Sequence, residues 1–341
     1  MQRNLNFLIT ILRVFLFPLS VVYYLIIKSR NLLYDTGMFK QSGFRTPIIS
    51  VGNITIGGTG KTPFVMYLTD YFITKGKKVG VISRGYKSKS NELIIAHDGK
   101  SVIENVKQTG DELGMIVNRF SDLKESFYAI AYFNRIEAIR KMETLFAPDI
   151  ILLDDAFQNR KIMKTIDIVL VNKERETFLD CILLPAGNLR EPLSTLSRAD
   201  VILNNYKFAE NKESKGISFN YVNKGFYNKE TQKLEYKNKI KAITISGIAD
   251  NMSFIDAVNL SKIEVVKSFN YADHFEYEEN DIRNFESDWT DHLIFLTTEK
   301  DFIKLKEFKF FVDKYPVYYL RIDINLNIRN IEEIFIKKHI L

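Results

Sequence analysis

Cysteine and histidine are scarce in this 341-residue chain, which has one cysteine, Cys181, and four histidines. A single thiol excludes a disulfide framework and a cluster of thiolate metal ligands, and it is typical of a protein in a reducing compartment. Basic residues (48) exceed acidic residues (42) by only six, and no block of lysine and arginine stands out. The sequence therefore does not favour nucleic acid as a partner, although a pI near 9.0 suits an anionic ligand or lipid surface.

Charge is absent from one long apolar stretch near the N-terminus, residues 14–27, which follows the lone Arg13. No small-residue cleavage site follows it, so a signal peptide fits poorly. A spanning helix needs about 20 apolar residues, and Arg13 and Pro18 interrupt this run, so a helix in the membrane interface explains it at least as well. Tyr23 and Tyr24, followed by basic residues, also suit an interface. The pattern favours membrane contact over a buried core helix.

A glycine-rich segment lies between an apolar run that predicts a strand and an amphipathic run that predicts a helix. It reads Gly52-Asn-Ile-Thr-Ile-Gly-Gly-Thr-Gly-Lys-Thr62. A strand, a Gly-rich turn and a helix are the context of a phosphate-binding loop, in which backbone N–H groups and the helix N-terminus hold a polyphosphate. Lys61 can reach the β- and γ-phosphates, and the Thr62 hydroxyl can bind Mg²⁺. The residues predicted to bind the nucleotide are Gly57, Gly58, Thr59, Gly60, Lys61 and Thr62.

The loop departs from both related patterns at one position each. The strict phosphate-loop pattern has glycine where this chain has Thr55, and the ATPases whose loop begins Lys-Gly-Gly have lysine where it has Ile56. The loop therefore indicates a nucleotide phosphate, but it identifies neither the base nor the acceptor of the phosphoryl group.

Predicted strands and helices alternate along most of the chain, which predicts a mostly parallel sheet with helices on both faces. A polar, Lys-rich stretch interrupts the alternation, and its two β-like runs, 217–222 and 232–236, predict a hairpin. The predicted organisation is an N-terminal membrane-associated helical segment (1–40), a domain with the P-loop (41–205), a β-hairpin linker (206–240) and a C-terminal α/β domain (241–341).

Several charged residues occupy positions typical of a site. Asp154 and Asp155 follow a short apolar run, and a carboxylate at the tip of such a strand beside a P-loop is where this class holds Mg²⁺. Adjacent carboxylates repel each other unless a cation offsets them. Asp111 and Glu112 stand at a predicted helix start, where an ordinary N-cap is the commoner explanation for Asp111 taken alone.

Three further candidates are weak when each is taken alone. Arg190 and Glu191 lie in a loop shaped by proline and glycine, where a surface ion pair explains them equally well. His274 follows an apolar strand, and an isolated histidine is more often structural than catalytic.

Taken in order, a series of segments resembles the tetraacyldisaccharide 4′-kinase family, the membrane-bound lipid A kinases of Gram-negative bacteria. The segments are Gly-Asn-Ile-Thr-Ile-Gly-Gly-Thr-Gly-Lys-Thr-Pro, Ser-Arg-Gly-Tyr, Gly-Asp-Glu, Leu-Asp-Asp-Ala-Phe-Gln, Leu-Pro-Ala-Gly-Asn-Leu-Arg-Glu-Pro, Asp-His-Phe and Thr-Thr-Glu-Lys-Asp. The resemblance runs from the apolar N-terminal segment to about Leu305.

The resemblance implies a fold and an activity. The implied fold is a P-loop NTPase-like α/β/α sandwich with a second, smaller α/β domain joined by a two-stranded β linker, plus an N-terminal membrane-associated helix. The implied activity is ATP- and Mg²⁺-dependent phosphorylation of the 4′-hydroxyl of a tetraacyldisaccharide 1-phosphate to give lipid IVA. The expected protein is a monomer at the cytoplasmic face of the inner membrane, where the substrate's acyl chains lie in the bilayer while ATP is in the cytosol. Lys28 and Arg30 would attract the substrate's 1-phosphate there.

The resemblance also implies a role for each matched residue. Asp111 would take the proton from the 4′-hydroxyl and His274 would orient and tune it, with closure of the second domain completing the site. The implied catalytic residues are Asp111, His274, Lys61 and Arg190; the implied metal ligands are Thr62, Asp154, Asp155 and Glu191; the implied substrate-binding residues are Arg84, Glu112, Gln158 and Asn159. The family commonly has histidine where Asn159 stands, and asparagine cannot carry a charge there.

Two other functions stay open on the sequence alone. A membrane-associated P-loop switch ATPase of the partitioning or metallochaperone type shares Gly-Gly-Thr-Gly-Lys-Thr, but Ile56 replaces its leading lysine and its pattern does not account for the other segments. A non-catalytic membrane scaffold with a vestigial loop is disfavoured by the intact Lys61, Thr62 and Asp154. The expected partners are a glycolipid and a lipid surface, not nucleic acid.

Overall fold

The computed structural model describes residues 2–85, 92–102, 106–173, 178–208, 216–236 and 239–341, so Tyr86 of the Ser-Arg-Gly-Tyr segment lies outside the described residues. The strands are β1 (Ile48–Gly52), β2 (Val79–Ser83), β3 (Ile94–His97), β4 (Phe127–Ala131), β5 (Ile150–Asp154), β6 (Ile166–Asn172), β7 (Val201–Asn205), β8 (Ile217–Tyr227), β9 (Lys241–Ser246), β10 (Glu264–Asn270), β11 (Leu293–Thr298) and β12 (Val317–Leu326). The helices are α1 (Gln2–Asp35), α2 (Lys61–Thr74), α3 (Val106–Thr109), α4 (Asp111–Phe120), α5 (Arg135–Phe146), α6 (Asn251–Leu260), α7 (Glu279–Ser287), α8 (Glu299–Leu305), α9 (Lys309–Lys314) and α10 (Arg329–Lys337).

These strands form one 12-stranded sheet in the order β3-β4-β2-β5-β1-β6-β7-β8-β12-β11-β9-β10. The neighbours pair in parallel except β3 with β4 and β8 with β12, which are antiparallel. Strands β1, β2, β4 and β5 are buried along their whole length, as expected for apolar strands covered by helices on both faces. The predicted mixed α/β architecture with a mostly parallel sheet is therefore confirmed.

The hairpin predicted within the Lys-rich stretch is present only as a short return at the end of a long strand, and residues 217–222 have a different main partner. Residues 217–227 form the single long strand β8, and its antiparallel partner is β12, which lies about 100 residues further along the chain. The segment 232–236 pairs with the end of β8 alone among the described residues: Tyr227 forms an isolated antiparallel bridge with Lys233, and the N–H of Leu234 donates to the carbonyl of Phe226 at 2.7 Å. Strand β12 offers ten residues rich in tyrosine, isoleucine and leucine, whereas the segment 232–236 is short and polar, so β12 gives the longer ladder.

The end of the chain returns to the first half of the molecule. Ile331 and Phe335 of α10 are buried in the same core as Phe72 of α2, and the ring centroids of Phe72 and Phe335 are 5.2 Å apart. Residues 327–341 are thus packed with the half that contains the Gly-rich loop. The division of the chain into domains at 206–240 stays a prediction.

Helix α1 is continuous through Pro18, since a proline inside a helix removes one backbone hydrogen bond without ending the helix when its surroundings hold the chain. One face of α1 exposes apolar side chains, with Phe15 at 76% and Leu19 at 55% relative exposure. Ser20 and Ile27, on the other face, are buried. Among the residues that the structure describes, no helix is both long enough and apolar enough to cross a bilayer.

Candidate active site

The Gly-rich loop leads from β1 into α2 and leaves the first turn of that helix open. Gly60 precedes α2 in the left-handed region, with φ +90°, and no side chain caps the helix N-terminus. The first N–H groups of α2 therefore lack intrahelical partners and are free to bind an anion. A Cβ atom at Gly60 would lie 2.2 Å from the hydroxyl of Tyr221, so a larger residue cannot fit without a shift. Asn205 supports this turn by donating to the carbonyl of Thr59 at 3.0 Å.

A second loop, residues 182–191, runs beside the Gly-rich loop and is called the Arg190 loop below. The backbone N–H of Ile56 donates to Asn188 at 2.8 Å, and that of Arg190 donates to Ile54 at 2.7 Å. Thr55 forms an antiparallel bridge with Leu189, in a conformation with negative φ. This pairing explains why a β-branched residue replaces the usual glycine at position 55, because extended backbone does not require one.

Asp154 ends the central strand β5 beside the start of α2. The Thr62 hydroxyl donates to Oδ2 of Asp154 at 3.3 Å, while Oδ1 is buried and has no hydrogen-bond partner among the described residues. Burial raises the pKa of Asp154 to about 7; the negative charge of Glu112 acts in the same direction and Lys61 opposes it. An orphaned carboxylate oxygen beside a hydroxyl, at a position where negative charge is costly, fits a bound divalent cation.

Asp155 faces the lysine of the Gly-rich loop. Its two carboxylate oxygens each lie 2.9 Å from Nη1 of Arg190, and Oδ1 lies 3.7 Å from Nζ of Lys61. Burial acts to raise the pKa of Asp155, but the charges of Lys61 and Arg190 and the Arg190 hydrogen bond outweigh it and hold the pKa below its usual range. The ionised carboxylate of Asp155 therefore holds the side chains of Lys61 and Arg190 beside the Gly-rich loop.

Arg135, which the sequence did not single out, supports the tip of β5. Its buried Nη2 donates to the carbonyls of Asp154 at 2.5 Å and Asp155 at 2.9 Å. Burial lowers the pKa of Arg135, with Arg84 adding to the effect and the two aspartates opposing it. Arg84 itself is exposed at the end of β2. No sequence signal marks Arg135, since a basic residue at a helix start usually lies in solvent.

Asp111 and His274, separated by 163 positions, meet across the two halves of the sheet. Asp111 is the first residue of α4, and its Oδ2 accepts a 2.9 Å hydrogen bond from Nδ1 of His274. His274 has a φ of +59°, an uncommon conformation for a residue other than glycine. Burial acts to raise the pKa of Asp111, but the His274 hydrogen bond and the charge of Lys304 outweigh it, so the pKa lies below its usual value.

Two lysines of α8 complete this cluster, and sequence reasoning gave them no role. Lys304 lies 3.3 Å from Oδ2 of Asp111, and Lys300 lies 3.3 Å from Nε2 of His274. An ammonium group can only donate, so Nε2 accepts from Lys300 and Nδ1 carries the proton shared with Asp111. The i, i+4 spacing of the two lysines, which puts them on one helix face, is the signal that could have found them.

A buried ion pair joins the last turn of α4 to the first residue of α8. Arg119 donates to both carboxylate oxygens of Glu299, at 3.0 and 2.6 Å, and to the carbonyl of Ile322 at 3.1 Å. The two side chains are 10% and 7% exposed. This pair fixes the helix that begins with Asp111 against the helix that carries Lys304.

The other predicted site residues lie in several different places. Glu191 is fully buried, with one carboxylate oxygen 2.6 Å from Arg30 of α1 and the other paired with Arg198. The described residues contain no group of three or more His, Cys, Asp or Glu arranged to hold a metal, so Glu191 does not cluster with Asp154 and Asp155.

The three remaining candidates border the site. Gln158 donates to the carbonyl of Asn53 at 2.6 Å, and Asn159 follows in the same turn. Oε1 of Glu112 is 3.6 Å from Nε2 of His274.

Comparisons with known proteins match nearly the whole chain. Residues 12–339 match the family described as tetraacyldisaccharide-1-P 4′-kinase. The chain belongs to the tetraacyldisaccharide 4′-kinase family. A family member from Aquifex aeolicus is 34% identical over 309 residues, which cover 87% of this chain and 91% of that protein. A family member from Chlorobium phaeobacteroides is 33% identical over 311 residues, which cover 84% of this chain and 85% of that protein.

A solved member of the family also shares the fold. The crystal structure described as the "apo" form of LpxK from Aquifex aeolicus in complex with ATP is similar to this chain, with a TM-score of 0.77 and 31% sequence identity. The match covers 96% of this chain and 99% of that one.

Proposed function

We propose that this protein is an ATP-dependent kinase that phosphorylates the 4′-hydroxyl of a tetraacyldisaccharide 1-phosphate, which yields lipid IVA for lipid A biosynthesis. The observation that carries the proposal is the pair of Asp111 and His274, which would supply a carboxylate base; the charge of the neighbouring Glu112 acts on Asp154, beside the Gly-rich loop. A switch ATPase needs no base for an alcohol acceptor, whereas a sugar kinase does.

The Gly-rich loop is proposed to hold the phosphates of ATP. The open N–H groups of α2 would bind the β-phosphate, and Lys61 would reach the γ-phosphate from its place beside Asp155. Arg190 shares that carboxylate, so Lys61 and Arg190 would both lie where negative charge increases during transfer. Their pairing with Asp155 keeps both side chains ordered before ATP binds.

Magnesium is proposed to bind at Thr62 and Asp154. Their oxygens are of the kind that Mg²⁺ prefers, and Oδ1 of Asp154 accepts no hydrogen bond in the part of the chain that the structure describes. The ion would neutralise charge on the phosphates, and the small number of protein ligands suits Mg²⁺, which keeps waters and phosphate oxygens in its shell. Glu191, with both oxygens paired to arginines, is not carried forward as a ligand.

Asp111 is proposed to accept the proton of the 4′-hydroxyl. A carboxylate with a lowered pKa is ionised at neutral pH, so it can receive the proton as the oxygen bonds to phosphorus. His274 fixes the carboxylate through Nδ1–H, and Lys300 fixes the histidine in turn through Nε2. The proton thus passes from the hydroxyl to Asp111, while the developing charge on the phosphoryl group lies near Lys61 and Arg190.

Helix α1 is proposed to place the protein on the cytoplasmic face of the inner membrane. Val14, Phe15, Phe17 and Leu19 are between 52% and 76% exposed, which gives α1 an apolar face outside the protein core. Such a helix lies in the interface between headgroups and acyl chains. The site could then act on a lipid-held sugar without extracting its acyl chains from the bilayer.

The test is phosphoryl transfer from γ-labelled ATP with Mg²⁺ to a tetraacyldisaccharide 1-phosphate in detergent micelles. Wild-type protein and Lys100→Ala, which changes an exposed lysine, should label the lipid, whereas Lys61→Ala should not. Release of labelled phosphate without labelled lipid would instead indicate the switch ATPase.

A further inference from the structure

Three polar side chains on the inner face of α1 hold the Arg190 loop. The Ser20 hydroxyl donates to the carbonyl of Leu183 at 2.9 Å and accepts from the N–H of Ala186 at 3.0 Å. The Tyr23 hydroxyl donates to the carbonyl of Arg190 at 2.9 Å, and Arg30 donates to Glu191 at 2.6 Å. Helix α1 therefore contacts both the beginning and the end of the Arg190 loop.

On the side away from α1, the Arg190 loop contacts the candidate active site. Its backbone pairs with the Gly-rich loop at Ile54 and Ile56, and the side chain of Arg190 contacts Asp155. The carbonyl and the guanidinium of Arg190 thus face different neighbours, α1 on one side and the acidic tip of β5 on the other. A displacement of the loop backbone would move the guanidinium by a similar distance.

We infer that Tyr23 is a positioning residue for phosphoryl transfer: through the carbonyl of Arg190, helix α1 fixes the guanidinium of Arg190 beside the Gly-rich loop. The inference rests on the proposed function and adds to it, since α1 becomes a structural part of the catalytic site and not solely a contact with lipid. A protein whose α1 is displaced would bind ATP but transfer its phosphoryl group slowly.

The surroundings of Tyr23 support a fixed geometry. Glu191, which follows Arg190, is fully buried between Arg30 of α1 and Arg198. A buried carboxylate is costly unless both oxygens are paired, so this ion pair resists movement of α1 away from the loop. The Tyr23 hydroxyl lies close enough to these groups that burial, followed by the charge of Glu191, raises its pKa. The hydroxyl is therefore protonated, and can donate, at neutral pH.

The experiment compares Tyr23→Phe with Tyr24→Phe, which removes the same hydroxyl from the neighbouring residue. Each variant is made in the wild-type background and in an Arg190→Met background, and kcat and the KM values for ATP and lipid are measured in micelles. Tyr23→Phe should lower kcat about tenfold, equivalent to about 1.4 kcal/mol, because a part-buried acceptor loses its donor. The KM for ATP should change little, and Tyr24→Phe should match the wild type.

The Arg190→Met background separates an effect of Tyr23 on the position of Arg190 from a general loss of structure. If Tyr23 acts through Arg190, Tyr23→Phe should cost nothing further once the guanidinium is gone, so the two effects should not add. An equal tenfold loss in both backgrounds, or no loss in either, would overturn the inference while leaving the kinase assignment intact. Wild-type protein that labels no lipid would overturn the proposed function and this inference together.

Discussion

Replacing Glu299 with glutamine should destabilise the protein by about 3 kcal/mol, because it leaves the guanidinium of Arg119 buried without a counter-charge. Arg119 makes two hydrogen bonds to Glu299 and one to Ile322, and both side chains of the pair are at most 10% exposed. Breaking a buried ion pair costs about 3–5 kcal/mol, and the lower end applies since glutamine keeps one acceptor. Urea denaturation followed by far-ultraviolet circular dichroism would measure the loss.

Glu264→Gln is the matched control. Glu264 pairs with Lys241 at 3.7 Å, and the two side chains are 49% and 55% exposed. Solvent screens such a pair, so its loss should cost less than about 1 kcal/mol. A double variant, Arg119→Met with Glu299→Met, should recover most of the stability, because it removes both buried charges. The reasoning would be refuted if Glu299→Gln and Glu264→Gln cost the same, or if the double variant lost more than Glu299→Gln alone.

Further outcomes follow from the site. Asp111→Asn should lower kcat by about 10²- to 10⁴-fold without weakening ATP binding, measured by transfer assays and calorimetry. His274→Leu removes the donor that lowers the pKa of Asp111, so the acidic limb of the pH–rate profile should move to higher pH; an unmoved limb would contradict the assigned contact. In the wild type, the stability that the lowered pKa of Asp111 provides is present above its unfolded pKa of about 3.9 and is lost as the pH falls through the folded value. Gly60→Ala should abolish ATP binding, whereas Gly76→Ala, at a similar φ of +77° but with no atom within 4 Å of its Cβ, should only reduce the melting temperature; equal ATP affinity in both would mean that contact with Tyr221 is unimportant.

Local patterns in the sequence predicted the parts of the site that are contiguous along the chain. The Gly-rich loop and Asp154 each combine a strand end with a characteristic residue, so their places follow from the alternation of strands and helices. Asp111 and His274 are 163 positions apart, and only the resemblance to a family linked them before the sheet brought them together. Neither spacing nor composition could have paired them.

The features that could not be predicted from the sequence depend on contacts between residues that are far apart along the chain. Arg135 and Arg119 are buried because carbonyls and a carboxylate from distant segments surround their guanidinium groups. The hairpin prediction missed the main partner of residues 217–222 for a related reason: the polar residues indicate a turn, which is present, but no local signal marks β12, far along the chain, as the longer partner. Glu191 was assigned to metal, but its arginine partners come from α1 and from the turn after the Arg190 loop.

The pairing of β8 with β12 limits how the two halves of this kinase can move. Among the described residues, β8 pairs with β7 at Ile217–Phe219 and β12 pairs with β11 at Val317–Leu320, and neither pairing extends further. Between those contacts the two strands form a ribbon whose register shifts at Arg321, opposite Gly225. A two-stranded ribbon resists stretching and sliding but twists readily, and an irregular register makes it bend. The two halves should therefore turn about this ribbon more easily than they slide past each other.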